Sequence, residues 1–280
     1  MVNGIVNGGI VLKIGFVIPS RLKSSRLKRK NLIYLNDQSA LEWAIDRAKL
    51  VAGIDEVVVA TTSLESDSEV SRICLKKGIR YCQSDPEDVI LRLRDTARYF
   101  DFDYVVNITP DNTLFSMYLV DLIIKEIKED RSIDFIKYQN ALLGTGVYAL
   151  KKEAIETICD FKTITDTEIW GMLFNDKYFN VKVLEVPSFL NRDYRLTLDT
   201  EDDYRLLSII YKELRISQDN IPELVDIIRF LDEHPSIASM NAEVVQTTNP
   251  QELVEKVDKM FDDNKEEFNL IRDRYYGGHR

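Results

Sequence analysis

The sequence contains only two histidines and three cysteines among its 280 residues. His234 and His279 lie far in sequence from every motif described below, so the residues do not favour a histidine-based nucleophilic or general-base mechanism. Cys74, Cys82 and Cys159 are odd in number and lack the spacing of metal ligands, which is typical of a reducing compartment. We therefore expect a cytoplasmic protein whose cysteines serve as small apolar side chains.

Long apolar runs are missing as well. No window approaches the roughly 20 consecutive apolar residues that a membrane span requires. The opening residues combine neither a charged start nor a continuous apolar stretch, which argues against a secretion signal. We expect no membrane partner.

Acidic residues do not occur in residues 1–30, although the chain carries a formal net charge of −10. All 47 acidic residues, but only 30 of the 37 basic ones, follow residue 30, which argues against nucleic acid as a partner. Directly after the apolar run Ile14–Ile18, basic residues crowd into one short loop: Arg21, Lys23, Arg26, Lys28, Arg29 and Lys30. This pattern predicts a local anion site.

The residue types of this basic loop suit a phosphate chain. Arginine offers planar donor forks, serine offers hydroxyl donors, and Lys30 offers a compact charge. The G-x-x-x-x-G-K-[ST] phosphate-binding motif does not occur, so side chains would hold most of the phosphate oxygens. The alternative is a solvated surface loop or a nuclear-localisation-like run, and the position after a strand favours the anion site.

Apolar strand-like runs alternate with amphipathic helix-like stretches from Ile14 to about Asp130. The strand and helix pairs are Ile14–Ile18 and Ala40–Val51, Val57–Ala60 and Ser66–Lys77, Ile79–Cys82 and Pro86–Tyr99, and Tyr104–Ile108 and Ser116–Glu129. Such alternation predicts an α/β fold with a Rossmann-like, mostly parallel sheet flanked by helices. Ligands of such sheets bind beyond the carboxyl ends of the strands.

The regularity weakens after about residue 134. Strands are predicted at Asp134–Lys137, Gly146–Leu150, Val181–Val186 and Arg195–Leu198, and helices at Thr167–Asn175, Asp202–Leu214, Ile221–Glu233 and Gln251–Phe268. The charged stretch from Lys256 to Arg280 is expected to pack loosely or to mediate contacts. We expect a flexible N-terminal extension (1–13), an α/β domain (14–215) and a helical C-terminal extension (216–280).

Two aspartates stand where a parallel sheet would display metal ligands. Asp111 follows the fourth predicted strand and Asp199 follows the last one. Mg²⁺ usually takes one or two protein carboxylates and completes its octahedron with water and phosphate oxygens. From the residues alone, the favoured explanation of Asp111 is a Pro-Asp-Asn turn, and that of Asp199 is more strongly the adjoining Thr200-x-x-Asp203 capping box.

The basic loop also carries a family resemblance. The stretch Pro19-Ser-Arg21-x-x-Ser24-x-Arg26-Leu27-x-x-Lys30-Asn31 resembles the signature of the CMP-sugar-acid synthetases, the cytidylyltransferases that activate sialic acids and Kdo. The segments 57–62 and 84–92 are more similar to the spore-coat-polysaccharide or acylneuraminate cytidylyltransferase-like group. The resemblance covers roughly residues 14–215, with Lys28 standing where many members have proline.

This resemblance implies a nucleotidyltransferase with a nucleotide-diphospho-sugar transferase fold, a Mg²⁺ cofactor, CTP as substrate and a homodimeric state. It implies Arg21, Lys30 and Asp111 as catalytic residues, and Asp111 and Asp199 as metal ligands. The implied nucleotide-binding residues are Pro19, Ser20, Arg21, Ser25, Arg26, Lys30, Ser84, Asp88 and Arg92. Without the resemblance, Asp88 and Arg92 would read as a surface ion pair one helical turn apart.

The second half of the chain supplies candidates for binding the small-molecule acceptor. These are Lys137, Tyr138, Gln139, Glu168, Arg192 and Arg195. The expected reaction joins CTP to a sugar acid or a phosphorylated small metabolite and releases pyrophosphate, for surface polysaccharide (capsule or lipopolysaccharide type) biosynthesis. The rival interpretations are a GT-A-type glycosyltransferase, whose Asp-x-Asp motif would be Asp101-Phe-Asp103, and a catalytically silent nucleotide-binding scaffold.

Overall fold

The computed structural model describes residues 11–24, 26–167, 169–246 and 250–277. Most of the expected N-terminal extension, and the candidate site residues Ser25 and Glu168, lie outside the described residues. The strands are β1 (Ile14–Pro19), β2 (Tyr34–Leu35), β3 (Gln38–Ser39), β4 (Glu56–Thr62), β5 (Arg80–Ser84), β6 (Tyr104–Asn107), β7 (Phe135–Gln139), β8 (Tyr148–Lys151) and β9 (Val181–Glu185). The helices are α1 (Ala40–Lys49), α2 (Ser68–Lys76), α3 (Val89–Phe100), α4 (Met117–Glu129), α5 (Lys152–Phe161), α6 (Glu201–Glu213), α7 (Leu224–Glu233), α8 (Pro235–Ala238), α9 (Gln251–Asp263) and α10 (Lys265–Tyr276).

Seven of these strands form one sheet in the order β5-β4-β1-β6-β8-β7-β9. β1 is paired in parallel on both sides, so that Phe16 stands opposite Val57 of β4 and Val106 of β6. β8 runs antiparallel to β6 and β7, whereas β5 and β9 extend the sheet in parallel. The predicted α/β fold with a mostly parallel sheet is confirmed. The carboxyl ends of all strands except β8 therefore meet along one side, the carboxyl edge.

The side chains of β1 alternate between two cores, one on each face of the sheet. Ile14, Phe16 and Ile18 pack with α1, α2 and α4, whereas Val17 packs with α3 and α5 on the opposite face. Every residue of β1 is buried. Because a strand buried on both faces has little freedom to move, the loop that follows β1 leaves the sheet from a rigid base.

A third core attaches α6 and α7 to α1 and to the β2–β3 hairpin. Its centre is Trp43, whose indole nitrogen donates to the Leu35 carbonyl at 2.7 Å and whose ring lies 5.2 Å from that of Tyr211. Burial of this much aromatic and aliphatic surface holds α6 firmly against the rest of the molecule. The segment that leads into α6 at residue 200 is therefore fixed at the carboxyl edge.

Two predicted elements of the second half are wrong. Arg195–Leu198 is not a strand, because its two leucines are buried in the third core by packing, and one isolated bridge links it to residue 143. The helix predicted at Thr167–Asn175 is reduced to a 3₁₀ turn at Trp170–Leu173. In both places the alternation or spacing of apolar residues arises from tertiary packing rather than from regular backbone hydrogen bonding.

The C-terminal tract differs from expectation in two ways. The single helix predicted at Gln251–Phe268 is interrupted at Asn264, whose φ of −127° separates α9 from α10. The loose packing expected here is also wrong, since Phe261 and Phe268 are 1% exposed and their rings lie 5.0 and 5.1 Å from that of Phe161. Among the helices that the structure describes, none combines the length and apolar character needed to cross a membrane.

We predict that Gly15→Ala destabilises the protein by about 1–3 kcal/mol, as overpacking of a core does. A Cβ at residue 15 would lie 2.2 Å from the ring of Phe102, which is fully buried and stacked on Phe100. The measurement is the free energy of unfolding in urea. The control is Gly277→Ala, where a Cβ meets nothing within 4 Å. Equal stability of both variants would contradict this account of β1.

Candidate active site

Three chain segments meet at the carboxyl edge beside an open cleft of about 700 Å³. They are the basic loop (residues 20–30) after β1, the loop after β6 (residues 108–116), and residues 195–200 before α6. The cleft is lined by side chains that include Asn107, Asp111, Asn112, Lys137, Tyr138, Trp170, Thr197, Asp199 and Gln246. The fold therefore brings the basic loop and both candidate metal ligands to the mouth of one cleft, where ligands of α/β sheets bind.

At the mouth of the cleft, the ammonium of Lys30 bridges two carboxylates. Its Nζ lies 2.5 Å from Asp111 Oδ2 and 2.5 Å from Asp199 Oδ1. The side chains are mostly buried, with 22, 12 and 10% exposure for Lys30, Asp111 and Asp199. Burial alone would lower the pKa of Lys30, but the two carboxylates outweigh it and raise that pKa above its usual value. The lysine is therefore held in its charged form between the two aspartates.

Backbone contacts explain why two aspartates so distant in sequence come together. The Leu198 amide donates to the Asp111 carbonyl at 2.9 Å, which ties the two loops to each other. The Leu196 amide donates to the Leu143 carbonyl at 2.7 Å. This contact requires glycine at 144, since φ there is +94° and a Cβ would lie 2.4 Å from the Leu196 backbone.

Asp203 anchors the Asp199 segment from the first turn of α6. It is fully buried and accepts hydrogen bonds from the amides of Asp199 at 3.1 Å and Thr200 at 2.9 Å. The predicted Thr200-x-x-Asp203 capping box is confirmed. Burial by itself would raise the pKa of Asp203, but hydrogen bonds from Arg195 and Asn241 lower it overall, so the carboxylate stays ionised.

Arg195, a candidate acceptor contact, is instead committed to internal bonds. Its Nε and Nη2 donate to Asp203 at 2.8 and 3.1 Å, and its Nη1 donates to Gln246 at 2.7 Å. Its Nη2 also lies 3.7 Å from Asp199 Oδ2. Arg195 is only 9% exposed, so its position indicates support of Asp199 rather than direct contact with an acceptor.

Two residues that were not predicted as site residues fix the start of the basic loop by hydrogen bonds. Asn31 donates to the Ser20 hydroxyl at 3.1 Å and to the Arg21 carbonyl at 3.0 Å. Asp67 accepts from the Leu22 amide at 2.8 Å. Asn31 is the last residue of the family signature. Asp67 belongs to no motif, because its contact joins the loops that follow two neighbouring strands, β1 and β4.

The two loop arginines proposed for nucleotide binding are paired with acids in this structure. Arg21 donates to Glu87 Oε2 at 2.7 Å and to the Pro86 carbonyl at 3.0 Å, while Arg26 lies 3.0 Å from Asp199 Oδ2. Arg26 remains 48% exposed, so it is accessible to a ligand. Charge-assisted bonds between arginine and phosphate are strong, so both arginines can exchange these contacts for phosphate oxygens.

The nucleotide-side candidates in segment 84–92 build the loop that faces Arg21. Arg92 donates to the carbonyls of Asp85 at 2.7 Å and Pro86 at 3.1 Å. Asp88 caps α3 by accepting from the Leu91 amide, and it is ion-paired with Lys162. Both are buried, at 2 and 4% exposure, so they are not the surface ion pair of the alternative interpretation.

Ser84 and Pro19, also predicted to bind the nucleotide, lie outside this loop. Ser84 donates to Asp95 at 2.5 Å on α3. Pro19 ends β1, directly before the basic loop. The contact of these nucleotide-side candidates with a nucleotide stays a prediction.

The acceptor candidates divide into those that reach the cleft and those that do not. Lys137 and Tyr138 line it. The Tyr138 hydroxyl donates to the Leu119 carbonyl at 2.7 Å, and burial raises its pKa well above the usual value. Gln139 is exposed and does not line the cleft in the described chain. Arg192 is bound to Asp232 on α7 at 2.9 Å and is likewise not part of the cleft lining.

The carboxylate pair fits a divalent cation. Asp111 Oδ1 is buried and has no hydrogen-bond partner in the part of the chain that the structure describes. An ionised oxygen without a partner is costly unless a cation or water meets it. The described residues contain no cluster of three or more metal-binding side chains. Two aspartates together with phosphate oxygens and water nevertheless suffice for Mg²⁺.

The Asp-x-Asp motif expected of a GT-A glycosyltransferase is remote from this site. Asp103 precedes β6 and accepts from the Lys13 amide at 2.7 Å, and Asp101 ends α3 in a left-handed conformation. Both lie at the side of the sheet opposite the carboxyl edge. The structure thus offers this motif no part in a metal site at the cleft.

The fold and the cationic loop at its carboxyl edge define a nucleotidyltransferase. Residues 16–184 match the family model described as cytidylyltransferase. Because this match spans more than half of the chain, the protein belongs to the cytidylyltransferase family. The family resemblance expected from the basic loop is confirmed.

Two proteins of similar sequence align with this chain over nearly their whole length. An uncharacterized protein of Methanocaldococcus jannaschii is 29% identical, with 84% of this chain and 97% of that protein covered. A spore coat polysaccharide biosynthesis protein of Bacillus subtilis is 25% identical, with 80 and 96% covered. These matches include much of the chain that lies beyond the family model.

Solved structures show the same fold. A cytidylyltransferase of Leptospira borgpetersenii superimposes with a TM-score of 0.75 at 24% identity, covering 86% of this chain and all of that one. A CMP:2-keto-3-deoxy-manno-octonic acid synthetase complexed with CTP superimposes with a TM-score of 0.60 at 18% identity, covering 72% of this chain and all of that one.

We predict that Asp203→Asn destabilises the protein by about 3 kcal/mol, because it leaves the buried Arg195 without its main charge partner. The free energy of unfolding in urea measures this loss. The control is Asp202→Asn, since Asp202 is half exposed and pairs with Arg205 on the helix surface. That change should cost less than about 0.5 kcal/mol. A loss below 1 kcal/mol for Asp203→Asn would show that Asp203 does not anchor the segment.

Proposed function

We propose that this protein is a Mg²⁺-dependent cytidylyltransferase that joins CTP to a sugar acid or a phosphorylated small metabolite. The observation that carries the proposal is the cluster of Lys30, Asp111 and Asp199 at the mouth of the cleft, directly beside the basic loop. Family membership supports CTP as the nucleotide. The products are the CMP-activated acceptor and pyrophosphate.

In this reaction an acceptor oxygen attacks the α-phosphorus of CTP, and the bond between that phosphorus and the β-phosphate oxygen breaks. Negative charge then grows on the departing pyrophosphate, within reach of Arg21, Arg26 and Lys30 on the basic loop. Preorganised cations at such a position stabilise the transition state without further rearrangement. When bound by Asp111 and Asp199, Mg²⁺ would add Lewis-acid stabilisation of the phosphate oxygens.

The acceptor enters from the cleft on the other side of the two aspartates. Lys137 is a cation on this wall, and Asn112 adds an amide, so the lining suits an anionic, hydroxyl-rich molecule. A phosphate acceptor arrives ionised, whereas a hydroxyl acceptor must lose a proton during attack. One relative is a spore coat polysaccharide biosynthesis protein and one structural neighbour is a sugar-acid synthetase, which supports a role in surface polysaccharide biosynthesis. We further propose a cytoplasmic homodimer, as the family resemblance implies.

We predict that Asp111→Asn and Asp199→Asn each lower CTP-dependent pyrophosphate release by at least about 100-fold, because each removes one charge that would hold the metal. The assay contains Mg²⁺, CTP and pooled sugar acids and phosphorylated metabolites. The control is Asp193→Asn, an exposed aspartate of the segment before α6. Near-normal turnover in either cleft variant, with the fold intact, would remove that aspartate from the metal site.

We predict that Lys30→Gln tightens Mn²⁺ binding roughly tenfold in the absence of nucleotide, although it lowers turnover. The Lys30 ammonium occupies the position between the two carboxylates where a divalent cation would bind, so the cation must displace it. Free Mn²⁺ is measured by electron paramagnetic resonance.

The control for this competition is Lys28→Gln, which removes the same charge from an exposed position of the same loop. It should change the Mn²⁺ affinity by less than twofold. Equal or weaker Mn²⁺ binding in Lys30→Gln would contradict direct competition between the lysine and the metal.

A further inference from the structure

The chain beyond α8 returns to the active site. We call residues 239–246 the C-terminal strap, and the family model, which ends at residue 184, does not include it. On its N-terminal side, α7 is anchored in the third core through Leu224, Ile227 and Leu231. On its C-terminal side, α9 and α10 are anchored in the core formed with α3 and α5. The strap thus spans two cores, and Gln246 at its end lines the cleft.

Asn241 of the strap joins the two segments that flank Asp199. Its amide nitrogen donates to the Arg195 carbonyl at 3.0 Å and to Asp203 Oδ1 at 2.8 Å. Asn241 is only 2% exposed. A buried amide that uses both of its N–H groups on different segments fixes their relative position. Asp203 in turn holds the Asp199 amide, so Asn241 reaches the carboxylate pair through a single intermediate residue.

Gln246 holds the other side of the same network. Its Oε1 accepts from Arg195 Nη1 at 2.7 Å, while the rest of that guanidinium is bound to Asp203. Arginine is a pure donor, so an acceptor is required at this position. The side-chain amide oxygen of Gln246 supplies one. Arg195 is held with its Nη2 atom 3.7 Å from Asp199 Oδ2, and the carboxylate of Asp203 balances its positive charge.

From these contacts we infer that the C-terminal strap is part of the active site, with Asn241 and Gln246 acting as positioning residues for Asp199. The inference rests on the proposed function, in which Asp199 holds the divalent cation. Within the described chain, Asn241 and Gln246 hydrogen-bond Arg195 and Asp203, so each acts on Asp199 through these two residues. Side chains that hydrogen-bond a metal ligand directly typically change metal affinity 10- to 100-fold when they are removed. Asn241 and Gln246 lie one residue further from the metal, so we expect losses at the lower end of this range.

The test is a titration of the full-length protein with Mn²⁺ in the presence of CTP, with free Mn²⁺ followed by electron paramagnetic resonance. Asn241→Ala and Gln246→Ala should each weaken the Mn²⁺ affinity about tenfold. Gln246→Glu keeps an acceptor for Arg195 and should bind Mn²⁺ at least as well as the parent protein. This rescue separates positioning from a general loss of structure.

The matched control is Asn220→Ala. Asn220 also donates its side-chain amide to two acceptors, here the carbonyls of Leu214 and Arg215 at the opposite end of α6. It should lower the melting temperature without changing the Mn²⁺ affinity. Because Gln246 is exposed, Gln246→Ala will fold even if Asn241→Ala does not.

Two outcomes would overturn the inference, and they are distinguishable. If the parent protein binds Mn²⁺ with CTP and both alanine variants bind it within twofold, the strap does not position Asp199, while the proposed function stands. If the parent protein binds no Mn²⁺ in the presence of CTP, Asp199 is not a metal ligand. In that case the metal dependence of the proposed function and the role of the strap fail together.

Discussion

The architecture of the site depends on one electrostatic constraint: the carboxylates of Asp111 and Asp199 both pair with the ammonium of Lys30. Two carboxylates brought together with little exposure to solvent repel each other, so a cation must lie between them. The sheet supplies Asp111 after β6, the third core fixes Asp199 before α6, and the end of the basic loop supplies Lys30. The same constraint underlies the proposed metal site, in which a divalent cation would replace the ammonium once a nucleotide offers the lysine an alternative partner.

The charges of the basic loop are likewise balanced by internal acids. Arg21 forms an ion pair with Glu87, and Arg26 forms one with Asp199. These contacts hold the basic loop in place, and a phosphate can replace them. These pairs are partly exposed and worth little to stability by themselves. Their value is positional, because they keep the side chains at the carboxyl edge, where the proposed function would need cations to stabilise the departing pyrophosphate.

Much of this arrangement was predictable from the sequence. The alternation of strands and helices through residue 130 gave the sheet, and the position of Asp111 after an apolar run placed it at the carboxyl edge. Local patterns failed where long-range packing decides the structure. Leu196 and Leu198 alternate as in a strand, yet they are buried in the third core without forming a ladder. The contacts of Asn241 and Gln246 with Arg195 join residues some 50 positions apart, so no local sequence pattern predicts them.

The most direct test of the central claim is the identity of the product. The parent protein would be incubated with Mg²⁺ and each of the four nucleoside triphosphates, together with pooled sugar acids and phosphorylated metabolites, and the new species identified by mass. The account predicts pyrophosphate and a CMP conjugate with CTP alone, and the mass of that conjugate identifies the acceptor. Intact CTP binding without pyrophosphate or any CMP conjugate across the panel would contradict it and favour a silent nucleotide-binding scaffold.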